Sequence, residues 1–328
     1  MLTDTLMTIG GLMLLLGAGD MLVRGAVTAA VQLHIPAIVI SATVVAFGTS
    51  APELLISVEA ALAGLPGIAL GNVIGSNIAN VWLVLGVPAL IAPIACRDTD
   101  ARRSLTFMLI ATAMFTLLIT SGTLAWWGGM ALIGVVGVMI ADSLREGLRH
   151  RAAVQAGAGS AGAARVPVDE ATELEDADPD LPAWKITALI LAGVIGLPIG
   201  ANLLIEGATG VASAIGVSEA AIGLTLVALG TSLPELATTV MAALRNQADV
   251  AIGNVIGSNL FNITAIIGAA SLFAPLDVPA EMITRDIWVM VLATLMLVPY
   301  VLLGRTLCRW TGVLYVLCYG AFGYFALT

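Results

Sequence analysis

The sequence predicts an all-α polytopic membrane protein, with ten transmembrane helices arranged as two inverted five-helix repeats. Three observations carry that prediction: an apolar content beyond that of soluble proteins, ten apolar runs separated by breaks, and a segment that recurs at an offset of 182 positions. Of 328 residues, 59% are apolar and 11% carry Asp, Glu, Lys or Arg, against ~25% charged in a soluble domain. At about 20 apolar residues per span, this content suffices for ten spans with little left over. A soluble enzyme, a nucleic-acid binder with a basic face and a disulfide-stapled secreted module are excluded. So is an outer-membrane barrel, which needs alternating polarity.

Taken in order, the apolar runs place spans at 5–30, 37–63, 68–92, 104–121 and 124–144, then at 185–212, 219–244, 249–273, 286–303 and 308–327. The first is a retained helix rather than a signal peptide. Met1 to Gly10 has no basic residue, carries Asp4 and runs into a long apolar stretch. Between spans five and six the chain changes character. A Gly/Ala/Ser run from Ala156 to Ala164 leads into seven carboxylates between Asp169 and Asp180, with Pro167, Pro179 and Pro182 around them. That is a solvated linker composition. A regulatory cation-binding loop is the other reading, but the segment lacks the spaced Asp/Asn/Gly pattern of an EF-hand. The chain therefore divides into a first repeat at 1–145, an acidic linker at 146–183 and a second repeat at 184–328. Cys96, Cys308 and Cys318 show no CxxC spacing and read as packing residues.

Ten spans put both termini on one side, and Lys and Arg decide which side. Arg97, Arg102 and Arg103 follow span 3, while Arg145, Arg149, Arg151, Arg165 and Lys185 flank or lie in the linker. Arg245 follows span 7, and Arg305 and Arg309 lie between spans 9 and 10. All fall on one side; Arg285 lies in an opposite loop and Arg24 within span 1. The linker is expected to be cytoplasmic and both termini external, in the cell inner (cytoplasmic) membrane.

The repeat is the strongest signal. Residues 40–86 and 222–268 align without a gap, and roughly half of the paired positions are identical. GTSAPEL (48–54) matches GTSLPEL (230–236), and GNVIGSNIAN (71–80) matches GNVIGSNLFN (253–262). Leu22, Gly25 and Ala26 echo Leu204, Gly207 and Ala208. A unit of five spans is odd, so the second copy enters the membrane in the opposite sense. In such inverted repeats the substrate site lies near the midplane between the copies.

Glu53 and Glu235 fall near the middle of spans 2 and 7, where an ionised carboxylate is costly unless paired or hydrated. No Lys or Arg lies at that depth; Arg24 is the nearest by sequence, and its counterpart is Glu206. The neutralising charge is therefore expected from solution, as metal ions or protons. The bland alternative is a pair of protonated glutamates serving as packing hydrogen bonds. Thr49 shares a helical face with Glu53 and Ser50 flanks it, and Thr231 and Ser232 repeat this around Glu235. Pro52 and Pro234 have no N–H, so the carbonyls of Gly48 and Gly230 lose their helical partners and a kink is expected. Ser76 with Asn80, and Ser258 with Asn262, are i, i+4 pairs in spans 3 and 8. Carboxylates, amides, hydroxyls and carbonyls form an all-oxygen set that selects Ca²⁺ or Na⁺ over Zn²⁺ or Cu⁺. Asn72, Asn77, Asn254 and Asn259 sit in a small-residue pattern and are assigned to helix packing. Glu59, on another face, is assigned to the external vestibule.

The paired G-T-S-x-P-E and G-N-V-I-G-S-N-x-x-N motifs resemble the α-repeats of the Na⁺/Ca²⁺ exchanger branch of the calcium/cation antiporter superfamily. The resemblance implies a cluster of ion sites between spans 2, 3, 7 and 8. Glu53, Glu235 and the carbonyls of Thr49 and Thr231 would hold Ca²⁺. Na⁺ sites would draw on Ser50, Ser76, Ser232, Ser258 and the carbonyls of Ala46 and Ala228. Spans 1 and 6 would slide across this core to alternate access. Where some members, including the K⁺-dependent branch, carry Asp, this chain has Asn262, matching Asn80. With two acidic groups, one Ca²⁺ or two Na⁺ neutralise the site. The histidine used by an H⁺/Ca²⁺ branch is absent from the motifs, since His34 and His150 lie elsewhere.

The expected activity is antiport of Na⁺ against Ca²⁺, with H⁺/Ca²⁺ antiport and a Ca²⁺-conducting channel as alternatives. The expected partners are the transported ions and the bilayer, with no cofactor, no nucleic acid and no obligate protein partner. An enzyme is the rival from another class. Gly17-Ala18-Gly19-Asp20 matches the G-x-G-D of intramembrane aspartyl proteases, but no partner aspartate in a Tyr-Asp context exists and the second copy has Asn202. A Ser/His hydrolase is no better supported, because neither histidine sits in a motif.

Overall fold

The computed structural model describes residues 1–33, 35, 37–96, 99–155, 180–215 and 230–327. The first half contains α1 (Leu2–Leu33), α2 (Ala37–Ile40), α3 (Ala46–Thr49), α4 (Ala51–Leu62), α5 (Pro66–Ala79), α6 (Gly86–Ile91), α7 (Thr99–Ile119) and α8 (Trp126–Gln155). The second contains α9 (Ala183–Ala214), α10 (Leu233–Leu244), α11 (Ala248–Phe261), α12 (Ile267–Phe273), α13 (Ile287–Leu303) and α14 (Arg309–Leu327). Apolar side chains without water around them leave the backbone to satisfy itself, and a helix does so within one segment. Single π-helical turns interrupt several helices, at Ser41–Val45, Asn80–Val84, Asn262–Ile266 and Met282–Asp286.

Among the described residues, seven helices are long and apolar enough to cross a membrane, or eight if the bent pair Ala37–Thr49 and Ala51–Leu62 is one span. The chain is thus a membrane protein with several apolar helices. The expected spans 1, 3, 4, 5, 6, 8 and 9 are met by these seven, and span 2 by the bent pair. Much of expected span 7, together with Ala228, lies outside the described residues, as do His34, Arg97 and linker residues 156–179. The last helix, α14, is not among the seven.

Burial separates a centre from a periphery. The segments Pro66–Ile91 and Ala248–Phe273 are 72% and 89% buried, against 33% for Leu2–Leu33 and 22% for Ala183–Ala214. The GNVIGSN motifs therefore run through the middle of the bundle, and α1 and α9 lie against its outside.

The two halves meet through matched contacts. Strand β1 (Ile94–Ala95) pairs antiparallel with β4 (Thr306–Leu307), and β2 (Thr123–Leu124) with β3 (Leu276–Asp277). Ile94 faces Leu307, and its counterpart Leu276 faces Leu124, so the second ladder reproduces the register of the first with the halves exchanged. α1 and α9 cross antiparallel: a Cβ at Gly193 would come 2.6 Å from Leu22 Cβ and 2.9 Å from the Ala18 carbonyl. Its counterpart Gly11 meets the backbone of Leu204 and Gly200, the counterparts of Leu22 and Ala18. Such an exchange of equivalent contacts is the mark of a pseudo-two-fold relation between the halves. Small residues let these backbones touch where lipid gives no hydrophobic drive for helix association.

Gly193→Val and Gly11→Val should each destabilise the folded protein by about 1–3 kcal/mol through overpacking, read as a lower Tm in detergent. Gly10→Val, whose added side chain meets open space, should leave Tm unchanged.

Candidate functional site

The break in the second apolar run is local chemistry. Pro52 cannot donate a hydrogen bond, and Ser50 leaves helical geometry at φ −86° and ψ 9°. The two pieces bend by 50°. Ser50 N–H still reaches the Ala46 carbonyl at 3.0 Å and Leu54 N–H the Ser50 carbonyl at 3.1 Å, but neither bond uses the carbonyls of Gly48 and Thr49. Ser232 repeats this geometry at φ −86° and ψ 2°, before Pro234. Each glutamate consequently lies in the first turn of a new helix, Glu53 in α4 and Glu235 in α10. Backbone dipoles at such a start favour negative charge.

Both glutamates are fully buried, at 0% exposure. Ser50 Oγ donates to Glu235 Oε1 at 2.9 Å, joining the break in the first half to the carboxylate of the second. Thr49 Oγ1 lies 3.3 Å from Asn254 Oδ1 and 3.4 Å from Ser258 Oγ. Ser76 Oγ donates to the Asn72 carbonyl at 2.7 Å, leaving its lone pairs free to accept. The Ala46 carbonyl accepts from the Thr49 hydroxyl as well as from Ser50 N–H. Ser232 is buried, Thr231 is half-buried, and Ala228 is outside the described residues.

Among the described residues, a group of buried polar atoms has no hydrogen-bond partner. They include both carboxylate oxygens of Glu53, Oε2 of Glu235, and both amide atoms of Asn80 and of Asn262. Orphaned polar atoms cost about 1–3 kcal/mol each and more when charged. Here they fall at matched positions of the two repeats. Asn80 and Asn262 each open a π-helical turn, a local widening that often marks functional sites.

The neighbouring asparagines hold the broken helices. Asn72 Nδ2 donates to the Glu53 carbonyl at 3.2 Å and to Ser57 Oγ at 3.0 Å. Asn254 Nδ2 repeats this with the Glu235 carbonyl at 3.5 Å and Thr239 Oγ1 at 3.2 Å. Asn259 Nδ2 bonds the Asn77 carbonyl across the halves at 3.2 Å. Motif reading passed over Ser57 and Thr239; both are buried hydroxyls one turn after a glutamate, and the 182 offset pairs them. The π turns had no sequence signal. Glu59 is exposed on α4, away from this cluster. Among the described residues no group of three or more His, Cys, Asp or Glu comes together, so the donors gathered here are mostly hydroxyl and amide oxygens. Asp20, considered above as a protease aspartate, is instead paired with Arg245.

Comparison with known proteins agrees with this geometry. The profile of the family described as sodium/calcium exchanger protein matches residues 3–143 and 185–328. A putative antiporter, CaxA, of Alkalimonas amylolytica is 34% identical over 300 residues, covering 90% of this chain and 89% of its own. The sodium/calcium exchanger MaX1 of Methanosarcina acetivorans is 33% identical over 334 residues, covering 95% of each. Among solved structures, the sodium-calcium exchanger NCX_Mj soaked with zero Na⁺ and Ca²⁺ superposes with a TM-score of 0.82 at 30% identity, covering 100% of this chain and 99% of that one. With a profile match over nearly the whole chain and relatives of full length, this protein belongs to the sodium/calcium exchanger family.

Proposed function

We propose that the protein is a secondary active antiporter that exchanges Na⁺ for Ca²⁺ across the cell inner membrane, by alternating access around the two-glutamate site. The observation that carries this reading is the set of orphaned, fully buried oxygens on Glu53, Glu235, Asn80 and Asn262. They form an all-oxygen set for a hard cation. In this reading Glu53, Glu235 and the Thr49 and Thr231 carbonyls hold Ca²⁺. Ser50, Ser76, Ser232, Ser258 and the Ala46 and Ala228 carbonyls serve Na⁺, and Asn80 and Asn262 complete the cluster. One Ca²⁺ or two Na⁺ balance two carboxylates. The empty, ionised site is disfavoured at the midplane, so only loaded carriers cross, and that penalty couples the two ions. The names of MaX1 and NCX_Mj support the same pair of ions.

The architecture proposed for this cycle is ten spans in two inverted repeats, 1–145 and 184–328, joined by the cytoplasmic linker, with both termini external. Antiparallel packing of the equivalent helices α1 and α9 supports the inversion: if both cross the membrane, the axis relating them lies in its plane.

Alternation requires the halves to differ at any instant, and they do. Gly19 of α1 lets its backbone rest on α10, where a Cβ would come 3.2 Å from the Ala237 carbonyl. One residue on, Asp20 is paired with Arg245 at the end of α10. The counterparts are Ala201, Leu55, Asn202 and Ala63, which offer neither the small residue nor the charges. Ala237 is 3% exposed whereas Leu55 is 64% exposed. We read this as α1 closing the cytoplasmic side while the equivalent contact of α9 on α4 is open. In the alternate state α9 covers Leu55 and the Asp20–Arg245 pair separates.

Glu53→Gln and Glu235→Gln should each abolish Ca²⁺ uptake into Na⁺-loaded proteoliposomes while leaving Tm and elution volume unchanged; retained uptake in either variant refutes the site. Wild-type uptake driven by a pH gradient alone would replace Na⁺ by H⁺ as the coupling ion, and uptake with no gradient would mean a channel. For the gate, labelling of Ala237→Cys from the cytoplasmic side should rise about fivefold when Asp20→Asn is added, the effect expected for a part-buried pair worth about 1 kcal/mol. The charge swap Asp20→Arg with Arg245→Asp should restore slow labelling. Unchanged labelling in Asp20→Asn would show that the pair holds no gate.

A further inference from the structure

Two further charges in this bundle stand in an apolar setting without a salt bridge among the described residues, Arg24 and Lys185. Arg24 lies nine residues before the end of α1, a 32-residue apolar helix on the outside of the bundle, and it is exposed there. By helix rise this is about 13 Å from the end of α1. A guanidinium facing lipid is costly unless it snorkels or finds an anion. Among the described residues no carboxylate pairs with Arg24 or with Lys185, a second cation that lies in the first turn of α9.

These two cations line one cavity of about 490 Å³, with Leu181, Trp184, Ala188, Leu189 and Ala192 as the rest of its lining. Gln32 Nε2 donates to the Leu181 carbonyl at 2.6 Å, tying the end of α1 to the start of α9 beside it. The Lys185 ammonium stands 5.7 Å from the centre of the Trp184 ring. Trp184 is 68% exposed, as suits an indole at headgroup level. Two cations lining one cavity lower the cost of placing an anion there. The pseudo-two-fold counterparts of Arg24 and Lys185 are Glu206 and Thr3. The cationic cavity thus belongs to one end of the α1–α9 pair and is not a by-product of the repeat.

We propose that this cavity is a binding site for one anionic phospholipid. Lys185 of α9 and Arg24 of α1 hold the headgroup phosphate between them, and Leu189 and Ala192 carry the start of the acyl chains. A basic rim over an apolar wall is the complement of an amphiphile. A free phosphate would leave the apolar wall unused, and a zwitterionic lipid would bring its own cation to the two already there. Because α1 and α9 are the helices proposed to slide, a lipid here would contact the moving part of the carrier.

The test uses the full chain purified in detergent and native mass spectrometry with phosphatidylglycerol and phosphatidylcholine of identical acyl chains. Phosphatidylglycerol adducts should outlast phosphatidylcholine adducts. Arg24→Gln and Lys185→Gln should each lower that preference about fivefold, the contribution of one basic residue near an anionic surface. Arg24→Lys should keep most of it, and Glu206→Gln all of it. Equal retention of the two lipids, or wild-type preference in both Gln variants, would overturn the assignment. Displacement of phosphatidylglycerol by millimolar inorganic phosphate would overturn it in favour of a free-anion site. Tm checks that each variant folds; if Arg24→Gln does not, Lys185→Gln and Arg24→Lys carry the decision.

Discussion

Two carboxylates at the centre of an apolar bundle, with no salt bridge to a cation among the described residues, set the terms for the rest of this molecule. Glu53 and Glu235 are each fully buried, and an ionised group there is tolerable only if charge and hydrogen-bond donors are brought to it. The helices are broken next to both, so that each carboxylate lies at a helix start with favourable backbone dipoles. Ser50 turns toward Glu235 across the halves. The asparagines of the GNVIGSN motifs bond the carbonyls of the glutamates themselves. Ala248–Phe273, the most buried of the apolar segments among the described residues, carries Asn254, Ser258 and Asn262 of this cluster. What remains unpaired among the described residues is rich in oxygen, the donor chemistry that suits a hard cation.

In the proposed cycle a duplicated scaffold would supply such a site from two half-sets of ligands, but it would also create a difficulty. A strictly symmetric carrier would offer both faces the same access. Departures from the repeat resolve it. The chain keeps the buried polar positions alike, Glu53 with Glu235 and Asn80 with Asn262, and lets the peripheral contacts diverge, Gly19 against Ala201 and Arg245 against Ala63. Identity at the centre keeps the proposed ion chemistry the same in both halves, while divergence at the rim gives one half contacts that the other lacks, as the proposed alternation requires. The same reasoning applies to Arg24, whose counterpart Glu206 has the opposite sign. Charge in an apolar setting is costly enough that each remaining instance invites a physical explanation.

Much of this was readable along the chain. Ten apolar runs, the 182-residue offset, the buried glutamates and the proline-induced break all follow from periodicity, from the missing N–H of proline and from the cost of charge in hydrocarbon. The kink at Ser50 and the central position of the GNVIGSN helices agree with that reading. Less readable were the hydroxyls of Ser57 and Thr239, which look like ordinary small residues until an amide 15 positions away points at them. The π-helical turns at Asn80 and Asn262 were invisible, because one extra residue per turn is a response to packing around the helix and leaves no compositional trace.

The sequence by itself determined the solvent this protein lives in, the repeat that organises it and the residue types gathered at its centre, because hydropathy, spacing and donor chemistry are properties of the chain read locally. Only the tertiary structure decided which oxygens stay unpaired among the described residues, that α1 rests on α10 at Gly19, and that Arg24 and Lys185, 161 positions apart, line one cavity. Those are relations between distant segments. They depend on how α1 and α9 cross and on which of two nearly equivalent contacts is made, a choice that a repeated sequence leaves open and three-dimensional packing makes.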